Sequence, residues 1–330
     1  MSIRLVEKRG LVKRQSHDKA HDFIAAGVVC YAFTLIDGLG LLDQLLDAQG
    51  LSSDFFHSYA NPLAVRAAIQ TLQCNDVVFL DKNVFRLTPF GKSLVTHLGS
   101  IKLIYSGYCK VLANQMKIVQ DQPSQYWDLA DDQAISKASA HMCEQFINHR
   151  LLAIIKKQSI QGTICDLGCG DASTLLYLCR KTKLPGLGFD LSSPSIHAAK
   201  SKCNQNDKIT LQVKDITTLS EIYLEVEMLI LSFVMHDFSM AQYQKTLASL
   251  LECFPNVKVF VLIDAVASED ENPLQLPGFD YLHGLLGIRP RTLEETTGLL
   301  IESEFIIVNR EPITELPNCY IWTLSPKNEN

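Results

Sequence analysis

The sequence predicts an α/β protein: a doubly wound, seven-stranded, mostly parallel sheet with an antiparallel edge strand, preceded by a mostly helical N-terminal domain. Three observations predict it. From Thr163 onward, short apolar runs at 163–167, 185–190, 209–213, 227–232 and 257–263 alternate with helical stretches. Such alternation builds parallel strand–helix–strand units, with ligands at the carboxyl ends of the strands. The last two runs, 304–310 and 318–324, have no helix between them, so they are expected to pair antiparallel at one edge. The first 100 residues read instead as helices around a single hairpin.

A length of 330 residues fits about two domains. The expected division is 1–100, a helical linker over 101–157, and a ligand-binding domain over 158–330. The 47% hydrophobic content and 20% charge are ordinary for a globular protein with a large core. A net charge of −6 supplies no broad basic field, which argues against nucleic acid as a partner. Met1–Arg14 carries five basic residues and one acid without the apolar centre of a signal peptide, so a solvated first helix is expected there. No apolar run is read as long enough to cross a membrane. The ten cysteines form no CxxC pair and sit in apolar contexts such as Val29-Cys30 and Leu178-Cys179. Reduced, packed thiols and a cytoplasmic location follow as expectations.

In chain order, His21 to Leu46 has helical apolar spacing broken at Gly38 and Gly40. Asn61 is placed to cap a helix that has Pro62 at its first position. Val77–Leu80 and Val84–Leu87 flank Asp81-Lys82-Asn83, a hairpin signal. Thr88 opens another helix, with Pro89 first. Helices followed by a hairpin is the order of a winged-helix module. The helix that would read DNA, Leu63–Leu72, has Arg66 as its one cation, so a structural role is expected of it. Ile101–Val119 and Ala134–Lys157 read as helices, as do Ala172–Leu178, Ala241–Leu251 and Leu293–Glu302.

The chemistry concentrates in Ile164-Cys165-Asp166-Leu167-Gly168-Cys169-Gly170-Asp171, a strand running into a glycine turn and then a helix. Gly168 and Gly170 let the backbone turn and let a ligand lie against bare main chain. Asp190, at the end of the next strand, suits the two hydroxyls of a ribose. A dinucleotide would share that feature, but its pyrophosphate wants a helix N-terminus without nearby carboxylates. Asp166 and Asp171 flank the loop, and Ser173 replaces the third glycine of the dinucleotide pattern. Two acids suit a cationic ligand, an ammonium beside a sulfonium, so S-adenosylmethionine is expected rather than a dinucleotide.

Four segments carry a family resemblance. Phe85-Arg86-Leu87-Thr88-Pro89-Phe90-Gly91, Asp166-Leu167-Gly168-Cys169-Gly170, Met235-His236-Asp237-Phe238-Ser239 and Arg291-Thr292-Leu293-Glu294-Glu295 resemble the class I S-adenosylmethionine-dependent methyltransferases. More narrowly, they are similar to the plant and bacterial small-molecule O-methyltransferases, which join a winged-helix dimerisation domain to a Rossmann-like domain. The resemblance covers most of the chain and implies a homodimer acting on a small molecule. It implies that Asp166, Gly168 and Gly170 line the methionine moiety and that Asp190 holds the ribose. Asp215 would face the adenine edge, with Ile216 against the ring, although Asp215 also reads as a solvated turn acid. Ser232 and Phe233 would border the methyl-transfer site, with His236 as the general base that deprotonates a hydroxyl.

One departure matters. Where those O-methyltransferases carry an apolar pocket residue and a later Gly-Gly-basic-Glu-Arg-Thr run, this chain has His283 and lacks the double glycine and the glutamate. It looks like the subgroup that methylates the carbon next to the keto group of 2-oxo acids, such as phenylpyruvate and 2-ketoarginine C-methyltransferases, in which two histidines and a carboxylate hold a metal. The resemblance then implies His236, Asp237 and His283 as ligands of a divalent metal, iron or zinc. Two readings stay open beside it: His283 as a helix residue bonded to backbone, and Asp237 as the residue that orients His236. His17 with His21, and His141 with His149, lack a third ligand and are expected at the surface. Three functions remain in view: metal-assisted C-methylation of a 2-oxo acid, metal-free O-methylation with His236 as base, and a winged-helix regulator sensing a metabolite.

Overall fold

The computed structural model describes residues 19–121, 123–267 and 278–327. The basic Met1–Arg14 stretch and His17 lie outside them. The chain forms two compact units, Met1–Val95 and Thr96–Asn330.

In the first unit, α1 (Lys19–Gly38) and α2 (Leu41–Leu46) part at the expected glycines. A short β1 (Leu51–Ser52) follows, then α3 (Pro62–Cys74), whose Asn61 cap accepts the Ala64 N–H. The hairpin is β2 (Val78–Asp81) and β3 (Val84–Leu87), in a three-stranded antiparallel sheet of order β1-β3-β2. Lys82 and Asn83 both adopt positive φ, as a two-residue hairpin turn demands. In α4 (Pro89–Thr96) the Gly91 N–H donates to the Thr88 hydroxyl. Phe33, Ile36, Ile69 and Leu72 are fully buried. Phe23, Ile24, Val28, Tyr31 and Leu35 form an apolar face on α1 that this unit leaves exposed. By length and composition α1 is also apolar enough to span a bilayer, contrary to the reading from sequence. Its polar ends hid that, while Val29, Ala32, Phe33 and Ile36 are buried in the unit.

The stretch expected as a linker belongs to the second unit. The single helix expected over 101–119 is broken into α5 (Leu98–Lys102), a π-helical turn (Leu103–Gly107), α6 (Cys109–Ala113) and α7 (Gln115–Gln120). Gly107 gives its carbonyl to the Asp131 N–H, which draws the chain off the helical path. The next helix is two, α8 (Asp132–Phe146) and α9 (Asn148–Lys157), parted at Ile147. Helix α8 packs against α10 (Ser173–Thr182) and α11 (Ser193–Lys202).

The seven strands are β4 (Thr163–Leu167), β5 (Gly186–Asp190), β6 (Ile209–Val213), β7 (Val226–Ser232), β8 (Val259–Ala265), β9 (Phe305–Pro312) and β10 (Cys319–Pro326). Their order is β6-β5-β4-β7-β8-β10-β9, with β10 antiparallel to both neighbours. The central strands are apolar on both faces, as a covered parallel sheet requires. Met228, Ile230, Val259, Val261 and Ile263 point into one core, with α8 to α11. Leu229, Leu231, Phe260 and Leu262 point into the other, with α12 (Met240–Cys253) and α14 (Leu293–Glu302). The strand order reverses at β4, between β5 and β7, which opens a crevice at their carboxyl ends. A third cluster, of Tyr108, Val111, Ile118, Leu282, Leu285 and Leu286, seats α13 (Phe279–Leu285), the helix that carries His283.

Candidate active site

Gly168 (φ +79°) and Gly170 (φ +53°) make the turn after β4. A Cβ on Gly168 would lie 2.5 Å from Val234 Cγ2, and one on Gly170 would lie 2.4 Å from Ser136 Oγ. A side chain at either position would be strained in conformation and would have to displace Val234 or Ser136. The Gly170 N–H donates to Asp190 Oδ2 at 2.7 Å, and the Ser192 N–H donates to Oδ1 at 2.8 Å, which fixes the carboxylate at the loop. The result is a cavity of about 380 Å³ lined by Asp166, Gly168, Gly170, Asp190, Ser232 and Phe233 together with residues of α8. All six were expected there. The Ser232 hydroxyl is buried without a partner, and Phe233 holds an unusual positive φ of 55°.

Asp171 lines the cavity too, with its carboxylate already paired. It was expected to meet a cation of the ligand, but Lys202 Nζ lies 2.5 Å from its Oδ2, and Oδ1 accepts the Ser173 N–H. Asp215 and Ile216 fall outside the residues lining the cavity. Asp215 Oδ1 accepts from the Thr217 N–H and hydroxyl and so caps its own turn, while Ile216 packs in the core. Asp132 and Ser136 line the cavity from α8 and were not anticipated, because that helix read as a connection. His21 and His149 are exposed as expected, and His141 is half-buried.

Beyond β7, His236 and Asp237 sit in a short 3-10 turn, and Arg291 holds this turn by donating to the carbonyls of Met235 and Phe238. His236 is buried, and its Nδ1 meets the carboxylate of Asp264, itself buried at the end of β8. Burial opposes charge on His236, but Asp264 and Asp237 outweigh it and push its pKa up to about 9. The His283 Nδ1 lies 2.7 Å from the Phe279 carbonyl, so it carries the proton and leaves Nε2 as a bare lone pair. That Nε2 is buried with no hydrogen-bond partner. Burial first, then the neighbouring His236, lowers the His283 pKa to about 4, which keeps the ring neutral. Asp237 Oδ1 stands 3.6 Å from each Nε2, and one donor atom from each of the three residues lies within 4.8 Å of the others. Two Nε2 atoms on rings oriented through their Nδ1 atoms, plus one carboxylate, make a donor set that fits a divalent metal, which would bind by displacing the proton of His236. Asp264 was missed from sequence because the strand was ended at 263; an acid within Val-Leu-Ile-Asp-Ala was the available signal.

A family described as "Methyltransferase domain" matches residues 164–254, from the start of β4 through α12. An indolepyruvate C-methyltransferase from Streptomyces griseus is 26% identical over 310 residues, covering 91% of this chain and 93% of its own length. Residues 164–254 are thus a methyltransferase domain, and the chain as a whole is similar to the class I small-molecule methyltransferases. S-adenosylmethionine is the methyl donor of this methyltransferase, and its substrate is a small molecule. Solved structures agree on the fold. Human N-acetylserotonin methyltransferase with S-adenosylmethionine superposes with a TM-score of 0.70 at 16% identity, covering 97% of this chain and 99% of that one. CalO1, a methyltransferase of calicheamicin biosynthesis bound to S-adenosylhomocysteine, gives 0.63 at 16%, covering 93% and 97%. The methyltransferase is thus an enzyme, and the regulatory reading falls away.

Proposed function

We propose that the enzyme methylates the carbon next to the keto group of a 2-oxo acid, with His236, Asp237 and His283 holding a divalent metal. The observation that carries this is the buried, unpartnered Nε2 of His283, aimed at the same carboxylate oxygen as the Nε2 of His236. A helix residue bonded only to backbone would not need a second nitrogen left bare in the interior. Indolepyruvate, named for the Streptomyces griseus relative, is itself a 2-oxo acid. When bound, the metal would supply Lewis acidity for the charge that develops on the keto oxygen as the neighbouring carbon gives up its proton. The chain's own residues do the rest. Asp264 fixes the His236 ring, Phe279 fixes that of His283, and Arg291 holds the turn between them. The glycine loop and Asp166 take the methionine end of the donor, and Asp190 takes the ribose. Asp215, with Oδ1 engaged by Thr217, would offer its other oxygen to the adenine edge. A second cleft, of about 570 Å³, runs from Asp237 past Trp127, Met240, Leu286 and Ile288 and suits an apolar substrate side chain.

The alternative is O-methylation with His236 as general base. It leaves the buried, bare Nε2 of His283 without a role. We also propose that the first unit is a winged-helix dimerisation domain paired through the exposed face of α1, that the second unit, α8 included, is the catalytic domain, and that the protein is cytoplasmic. Metal analysis of the purified protein, paired with methylation assays over 2-oxo acids and phenols, tests the function. Stoichiometric iron or zinc with activity on 2-oxo acids is the expected result; a metal-free enzyme active on phenols refutes it.

A further inference from the structure

The residues that line the donor cavity include four acids, Asp132, Asp166, Asp171 and Asp190, and no lysine, arginine or histidine. Asp171 is neutralised by Lys202. The other three have no ion-pair partner among the described residues. Asp166 is 3% exposed, lies in the cavity wall, and makes no side-chain hydrogen bond among the described residues. Asp190 spends its oxygens on two backbone N–H groups, which do not cancel its charge. Asp132, in the first turn of α8, adds a third carboxylate from a helix outside the sheet's alternating units. Partial burial, then Asp190, Asp131 and Asp128, raise its pKa, so this acid is held close to other acids at a cost in ionisation. It is not the helix cap, since Asp131 takes that place through the Ala134 N–H.

The ligand changes charge during turnover. Methyl transfer breaks the bond from sulfur to the methyl carbon and forms a bond from that carbon to the electron pair of the acceptor. The breaking bond's electrons stay on sulfur, so a sulfonium becomes a neutral thioether, while the acceptor yields a proton. The donor thus carries one positive charge more than the product, with every other contact group unchanged. We propose that Asp132, acting with Asp166 and Asp190, is a charge-selecting residue: it favours the sulfonium donor over the thioether product and so promotes product release. A contact blind to charge would strengthen donor and product alike and slow turnover; carboxylates without a cationic partner in the wall separate them.

The test measures dissociation constants of S-adenosylmethionine and S-adenosylhomocysteine by calorimetry on the full-length protein, comparing wild type, Asp132→Asn and Asp132→Glu. Asp132→Asn should weaken the donor about fivefold and the product by less than about twofold, as expected for removing one charge several ångströms from another across a partly hydrated cavity. Asp132→Glu, which restores the charge, should recover most of the difference. Added salt should weaken the donor more than the product in wild type, and should do so less in Asp132→Asn. Equal weakening of both ligands would make Asp132 a mere contact, and no change in either would place it outside the site; each result overturns the proposal. Because the readout is a ratio within one protein, a variant that is partly misfolded still gives a valid answer from its folded fraction. The donor's identity does not rest on this proposal, so its failure leaves the methyltransferase assignment intact.

Discussion

Donor binding should depend on pH through Asp166. Its carboxyl is buried in the cavity wall; burial first and Asp190 second push its pKa from an ordinary 3.8 up to about 7. In the empty protein, then, the folded state holds this proton where an unfolded chain would have released it. That makes the donor-free fold lose stability as pH rises from about 4 to 7, the opposite of a salt-bridged acid. A cationic donor reverses the balance, because it binds the ionised carboxylate and expels the proton. With a midpoint near 7, roughly a tenth of the molecules are ionised at pH 6 and roughly nine-tenths at pH 8. The donor should therefore bind about tenfold more weakly at pH 6 than at pH 8, and level off above that. Calorimetry across this range, repeated in two buffers of different ionisation enthalpy, reads both the affinity and the released proton. Asp166→Asn should bind weakly with a flat profile. A flat wild-type profile, or a slope that survives in the asparagine variant, would refute the reasoning.

Other expectations follow from the histidines, the ribose acid and the first unit. If both histidines are metal ligands, His283→Ala should abolish activity about as fully as His236→Ala, and chelation should do the same, reversibly on adding a divalent metal; full activity in chelator would remove the metal. Asp264→Asn keeps the shape but not the charge behind His236 and should cost about 10- to 100-fold in metal affinity or activity, measured by metal titration and initial rates. Asp190→Ala should weaken the donor by about 1.5–3 kcal/mol, the scale of hydrogen bonds to a charged group, and unchanged calorimetry would exclude it from the site. Light scattering at micromolar concentration should give a dimer; a monomer would leave the exposed face of α1 unexplained.

The sequence was most legible where one local rule decided the outcome. The strand from Thr163 to Leu167 and the helix from Leu293 to Glu302 have the ends expected, because a glycine turn and a Thr292–Glu295 capping box mark them. The long helices before the sheet were not legible, since what parts them is tertiary: the Gly107 carbonyl is claimed by Asp131, a partner that periodicity does not reveal. The site divided the same way. Asp166 and Asp190 stood at strand ends and line one cavity, and His236 and His283 stood in recognisable segments and lie side by side. Asp171 read as a ligand acid because Lys202, thirty-one residues away, could not be seen to meet it. Asp264 and Asp132 escaped because their roles come from packing against other elements.

The placement of β10 bears on how the molecule must be made. It is the last strand in sequence, yet it lies inside the sheet between β8 and β9, with Trp322 and Leu324 wholly buried. Tyr320 of this strand stands opposite Asp264 in the ladder, so the acid behind His236 is walled in only when β10 arrives. During synthesis the earlier strands can pair as they emerge, but His236 stays unseated until the segment from Cys319 to Pro326 has left the ribosome and threaded home. Activity is therefore a report on the arrival of β10: a nascent chain stalled before Cys319 should have the glycine loop in place and still lack a finished site.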